Sequence, residues 1–128
     1  MASMFDELDL SEMCPRYEYA MEILGKKWTG LILRALLDRP RRFSEITSYV
    51  YGVSDRLASE RLSQLEEEGI VERRVMDSRP VTTLYELTEM GEGLRPAVEA
   101  IQSWVDAWFP KEGPSKPNGR PLNLQNGT

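Results

Sequence analysis

Arg56, Ser59 and Ser63 fall on one side of a stretch that runs from Ser54 to Gly69, and these residue types suit one kind of chemistry. A guanidinium offers paired donors that match the acceptor edge of guanine, and hydroxyls bond base edges or phosphate oxygens. At about 100° per residue, Glu60 and Glu67 share that side, while Ala58, Leu62 and Leu65 share the opposite one. The second reactive group is Cys14, followed directly by Pro15. Proline suits the first helical position, which sets the thiol at a helix N-terminus, where the positive end of the dipole favours thiolate. Two plainer readings stand beside these: an amphipathic surface helix, and a cysteine that is a small buried apolar side chain.

Other chemistry is excluded by composition. The chain has no histidine and one cysteine. That removes a Ser-His-Asp triad, a Cys-His dyad, histidine-bearing zinc sites and any internal disulfide. Glu66, Glu67 and Glu68 are consecutive and so spread around their helix. We expect no enzyme, no cofactor and no metal.

The elements that must position Arg56 follow in order. Ser54 is a good N-cap, Asp55 complements the dipole, and Gly69 can take a positive φ just past the helix end. Upstream, Pro15 to Leu24 reads as a helix ended by Gly25, with Tyr17, Ala20, Met21 and Leu24 at helical spacing. Residues 26–38 read as a second helix with Trp28, Leu31, Ile32, Ala35 and Leu36 as its buried stripe, stopped before Pro40. Arg41, Arg42 and Phe43 read as an extended link. Ser44 then caps a short helix reaching Val50, with Ile46 and Val50 inward. Gly52 permits a tight turn into Ser54.

Downstream, Ile70 to Met76 alternates as a strand, Asp77 to Pro80 turns, and Thr82 to Leu87 returns antiparallel, with Arg79 at the tip. Short helix, tight turn, polar-faced helix and hairpin make a helix-turn-helix with a wing. Thr88 caps one last helix reaching about Phe109 and bent at Pro96. Leu94, Val98, Ile101, Val105 and Trp108, widened by Trp104, form an apolar stripe that suggests a dimer interface, with core packing as the alternative. The expected class is mainly α with a small β-hairpin wing and an additional C-terminal dimerisation helix.

The 128 residues suit one domain over residues 14–110, between an acidic arm at 1–13 and a disordered Pro-, Gly- and Asn-rich tail at 111–128. No apolar run approaches the ~20 residues of a membrane span, and no secretory signal is visible, so the expected compartment is the cytoplasm. The net charge is −5, which counts against a DNA partner. Its distribution means that the acidity weakens that reading without excluding it. Residues 1–13 carry four acids and no base, whereas residues 26–42 carry Lys26, Lys27, Arg34, Arg39, Arg41 and Arg42 against Asp38 alone. Local charge governs phosphate attraction, because screening acts within about 8 Å.

Several segments carry a resemblance. They are Cys14-Pro15, Gly25-Lys26-Lys27-Trp28, Leu31-Ile32-Leu33, Arg42-Phe43-Ser44-Glu45-Ile46, and Arg61-Leu62 with Leu65-Glu66. They continue as Gly69-Ile70-Val71-Glu72-Arg73, Tyr85-Glu86-Leu87-Thr88, Gly91, Leu94-Arg95-Pro96 and Trp104. In order and spacing the chain from Cys14 to about Trp108 resembles the HxlR-type transcriptional regulators, relatives of the MarR group. The resemblance implies a homodimeric winged helix-turn-helix protein that regulates genes by binding operator DNA. Lys26 stands where the family commonly has a second glycine, and Ala58 where leucine is commoner. Some relatives sense oxidants or electrophiles through the cysteine equivalent to Cys14, some with a second cysteine. This chain has no second one, so its oxidised form would be a sulfenic acid, a mixed disulfide or a Cys14–Cys14 bridge across a dimer.

The expected partner is double-stranded DNA. Arg56 is the first candidate for a base contact; Ser54, Ser59 and Ser63 would bond bases or phosphates. Arg42, Arg73, Arg74 and Arg79 are phosphate or wing candidates, and Arg61 would grip phosphate or an adjacent helix. A small-molecule or oxidant effector stays open. The alternative function is a winged-helix adaptor that binds protein without specific DNA binding.

Overall fold

The computed structural model describes residues 8–111. The expected arm falls within this range only from residue 8 onward, and the expected tail only at residue 111; their remainders lie outside the described residues. Eight elements follow in order: α1 (Pro15–Leu24), α2 (Thr29–Asp38), α3 (Phe43–Tyr49), α4 (Asp55–Glu67), β1 (Val71–Met76), β2 (Thr82–Leu87), α5 (Glu89–Glu92) and α6 (Arg95–Trp108). This is the mainly α fold with a two-stranded wing that the patterning implies.

The core is a single cluster in which Trp28, Ile32, Leu33 and Leu36 meet Ile46 and Val50 of the α3 end, Leu62 and Leu65 of α4, and Ile70 and Val71. Fully burying such a side chain contributes about 1.5–3 kcal/mol, so the face of α4 carrying Ala58, Leu62 and Leu65 is what fixes its rotation. The other face is thereby turned outward.

Both ends of α4 are built as the residue types require. The Ser54 hydroxyl accepts from the Leu57 N–H at 3.1 Å. At the C-terminus Gly69 takes φ +79°, the Gly69 N–H bonds the Glu66 carbonyl and the Ile70 N–H bonds the Leu65 carbonyl. That pair is a Schellman motif, and its apolar contact joins Ile70 and Leu65 in the core. Gly52, at φ 93°, makes the turn between α3 and α4. The hairpin pairs Val71 with Leu87 and Met76 with Thr82, and an isolated bridge adds Arg41 to β2 through Tyr85.

Four expectations need correction. Helix α2 begins at Thr29, not residue 26, because Trp28 takes a left-handed conformation at φ 82°. A bulky residue there is strained and must be held by its surroundings. Leu31 is 49% exposed and off the buried stripe, which contains Leu33 and Leu37 instead. Helix α3 begins at Phe43, ahead of the expected Ser44 cap; the Glu45 carboxylate accepts the Arg42 N–H at 2.9 Å and supplies the cap from inside the helix. That bond, with Arg42 and Arg39 nearby, holds the Glu45 carboxyl below its ordinary value.

The last correction is the C-terminal helix. It is not continuous and bent at Pro96. Thr88 caps only the short α5, through the Gly91 N–H, and α6 starts afresh at Arg95. Pro96 sits in the first turn of α6, where its missing N–H costs nothing. Neither α1 nor α6 has a buried residue; Ile101, Trp104 and Trp108 all stand exposed on α6.

Candidate nucleic-acid interface

The outer face of α4 carries Arg56, Ser59 and Ser63, all exposed, with the Arg56 side chain 87% accessible. Between that face and the wing runs a shallow groove of about 270 Å³ lined by Ser59, Ser63, Glu66, Glu67, Arg73 and Tyr85. Ser59 and Ser63 share a face, as the spacing implied, and the structure brings Arg73 of the wing beside them. Tyr85 was not anticipated; its place in the groove follows from the hairpin register opposite Arg73.

Most of the candidate arginines are held by a carboxylate of the same chain. Arg42 meets Glu45 at 3.4 Å, Arg56 meets Glu60 at 3.4 Å, Arg73 meets Glu66 at 3.1 Å and Arg74 meets Glu86 at 3.5 Å. Exposed pairs of this kind contribute about 0–1 kcal/mol, and a phosphate oxygen is an equally charge-assisted acceptor, so exchanging one for the other costs little. The carboxylates therefore extend the arginines over the surface without holding them there against a nucleic acid. They also account for an acidic chain carrying a basic-residue-rich face.

Arg79 lies at the hairpin tip and has no ion-pair partner among the described residues. The tip is ordered by its own bonds: the Ser78 hydroxyl donates to the Pro80 carbonyl at 2.8 Å, and the Ser78 N–H donates to the Met76 carbonyl at 2.9 Å.

Arg61 and Arg41 point elsewhere. The Arg61 side chain is only 15% exposed, and its Nε donates to the Lys27 carbonyl at 2.9 Å. It anchors the turn between α1 and α2 that leads into the strained Trp28, rather than an adjacent helix. Arg41, counted above in the basic segment, is buried: its Nε donates to the Ala35 carbonyl at 2.9 Å and its Nη2 to Asp38 at 2.7 Å. A second unanticipated aromatic lies nearby. Tyr51 is 74% exposed in the turn just before α4, and no periodicity marks a single aromatic in a turn.

Cys14 is the N-cap of α1 and half-buried. It makes no capping hydrogen bond of full geometry, but the backbone N–H of Tyr17 first, and that of Arg16 next, face its sulfur and hold the thiol below its ordinary value; the Arg16 charge adds a smaller pull. The six expected interface residues of the C-terminal helix divide. Leu94, Val98 and Val105 are half-buried against the body, while Ile101, Trp104 and Trp108 face out. Trp104 packs edge-on against Phe109, with ring centroids 5.2 Å apart. No helix among the described residues is long and apolar enough to cross a membrane.

Comparison with known proteins places this geometry. The profile of the HxlR-like helix-turn-helix family matches residues 23–113. The HTH-type transcriptional regulator YodB of Bacillus subtilis (strain 168) is 45% identical over 94 residues, covering 73% of this chain and 84% of YodB. YvaP of the same organism, an uncharacterised HTH-type transcriptional regulator, is 45% identical over 102 residues, covering 80% of this chain and 94% of YvaP. The solved structure of reduced YodB superposes with a TM-score of 0.68 at 43% identity, over 80% of this chain and 99% of that one. The quinone-bound form of YodB gives a TM-score of 0.64 at 42% identity, over 74% and 99%. The oxidised form of the redox regulator HypR gives 0.67 at 32% identity, over 73% and 96%.

Proposed function

The chain belongs to the HxlR-like helix-turn-helix family and is a DNA-binding transcriptional regulator, not an enzyme, and from that premise we propose that it acts as a homodimer on a near-palindromic operator, switched through Cys14. The observation that carries the reading is the division of the surface. A polar face on α4 with an exposed Arg56 points away from the core, and separate apolar faces on α1 and α6 are left uncovered.

A dimer built on α6 would present two copies of α4 to successive major grooves about 34–36 Å apart. Arg56 reads a base, releasing Glu60 to do so; Ser59 and Ser63 bond base edges or phosphates in the same groove; Ser54 brings the α4 N-terminus to a phosphate. Arg42, Arg73, Arg74 and Arg79 grip the backbone on either side. Arg61 acts indirectly, by holding the turn at Lys27 against α4. Residues 14–110 act as the unit, with the dimer contact formed by Ile101, Trp104 and Trp108 over Leu94, Val98 and Val105.

The effector reading rests on Cys14 and on the relatives. YodB has been solved with quinone bound, and HypR is a redox regulator. In this chain the Tyr17 and Arg16 N–H groups stabilise the Cys14 thiolate, the form that attacks electrophiles and oxidants. The adaptor alternative has no comparable support, since the relatives are named as transcriptional regulators.

Arg56→Ala tests the DNA-reading role. Anisotropy on a selected operator should show a loss of about 1–3 kcal/mol, with random duplex binding nearly unchanged. Equal losses on both duplexes would remove Arg56 as a base reader.

A further inference from the structure

Helix α6 has no fully buried residue, and beside the half-buried Leu94, Val98 and Val105 polar ties help to set its direction relative to the body. Among the described residues, two side-chain hydrogen bonds join it to α2. In its first turn, Arg95 Nη2 donates to the Leu37 carbonyl at 2.9 Å. About 10 Å further along the helix, Arg34 Nη2 donates to Gln102 Oε1 at 3.0 Å. Two points fix the direction of a rod, whereas one leaves a pivot.

Arg34 also reaches the helix-turn-helix, because its Nη1 donates to the Tyr49 hydroxyl at the end of α3. It makes no ion pair among the described residues; both acceptors are neutral. The orientation of Gln102 is set from its far side. Its Nε2 donates to Asp106 Oδ1 at 2.9 Å, and a carboxylate only accepts, so the amide oxygen is turned toward Arg34. Tyr49 is held in turn by the buried Arg41, whose guanidinium lies 4.7 Å from the ring centroid and whose backbone pairs with Tyr85 of β2. The tie spans a cleft of about 420 Å³ lined by Arg34, Leu37, Tyr49, Arg95, Val98 and Gln102.

Building on the homodimer reading above, we propose that Arg34 is a positioning residue that sets the angle between the C-terminal helix and the helix-turn-helix, and with it the half-site spacing the protein accepts. A planar guanidinium holds two acceptors at a fixed angle, which an ammonium cannot do. The lever is long enough to matter. Helix α6 has 14 residues and is about 20 Å long, so a swing of roughly 10° about Arg95 moves its far end by about one base-pair rise.

The test starts with selection of a duplex from a random library by the parent protein. One base pair is then inserted or removed at its centre, and affinities are compared for the parent, Tyr49→Phe and Gln102→Ala. Thermal melting and sedimentation confirm that each variant folds and dimerises. The parent should lose about tenfold on a mis-spaced duplex. Both variants should lose about three- to tenfold on the selected spacing, as for one lost hydrogen bond, and should then tolerate the altered spacings with less than about a threefold further loss. Arg34→Lys should behave like them. Losses that are equal at every spacing, complete loss included, or no loss at all, would overturn the positioning role. A parent that enriches no sequence would instead overturn the operator reading itself, and the positioning role with it.

Discussion

Cys14 and Arg16 lie together at the start of α1, where two backbone N–H groups face the sulfur. A thiol held below its ordinary value is deprotonated at lower pH, so its reactivity extends further toward acid. The rate of Cys14 alkylation by iodoacetamide should therefore reach half its maximum at a lower pH in the folded protein than in the urea-unfolded chain. A midpoint at or above that of the unfolded chain would show that the helix N-terminus does nothing for this thiol. Arg56 offers the contrasting case: its outward placement was legible from spacing alone, because the buried positions Ala58, Leu62 and Leu65 leave only one way for the helix to face. Its pairing with Glu60 was equally readable, as an i,i+4 neighbour. The Arg73–Glu66 pair was not, since it joins α4 to β1 across the turn at Gly69.

Among the elements, caps and turns were the readable parts. Ser54, Gly52, Gly69 and Pro15 each do what their backbone chemistry favours, and the returning hairpin strand spans Thr82–Leu87 as expected. The misreading at Trp28 has a tertiary cause that overrode local preference. Trp28 takes a left-handed conformation because its side chain is claimed by the core, and no local signal in Lys26-Lys27-Trp28 announces that. Its support comes from Arg61, 34 positions away from Lys27 in sequence. Arg61→Ala should therefore lower the free energy of unfolding by about 1.5–3 kcal/mol, as for a hydrogen bond from a charged group. Denaturant titration reads this directly. Full stability combined with a selective loss of DNA affinity would instead make Arg61 a DNA contact. The break between α5 and α6 was within reach of the sequence: Gly91 and Gly93 weaken a helix and Pro96 suits a new first turn, but the apolar spacing from Leu94 onward made one long helix look better.

For the whole molecule the question is what covers the outward faces of α1 and α6. Trp104 and Trp108 are 56% and 63% exposed, and neither belongs to the core cluster. Trp104→Glu should therefore turn a dimer into a monomer in sedimentation, while leaving thermal melting at low concentration little changed. A variant that unfolds outright would place Trp104 in the chain's own packing instead. The acidic net charge, −5, ceases to be an obstacle at this scale, since the carboxylates beside Arg42, Arg56, Arg73 and Arg74 are weak competitors for them. Salt sensitivity should survive that charge, because each phosphate neutralised by a Lys or Arg releases counterions. The most direct measurement is anisotropy on DNA from upstream of the protein's own gene, reduced and oxidised, with Cys14→Ser beside the parent. The expected result is tight, salt-sensitive binding that oxidation alters in the parent alone. Binding that responds to oxidation equally in both proteins, or in neither, would contradict a switch at Cys14.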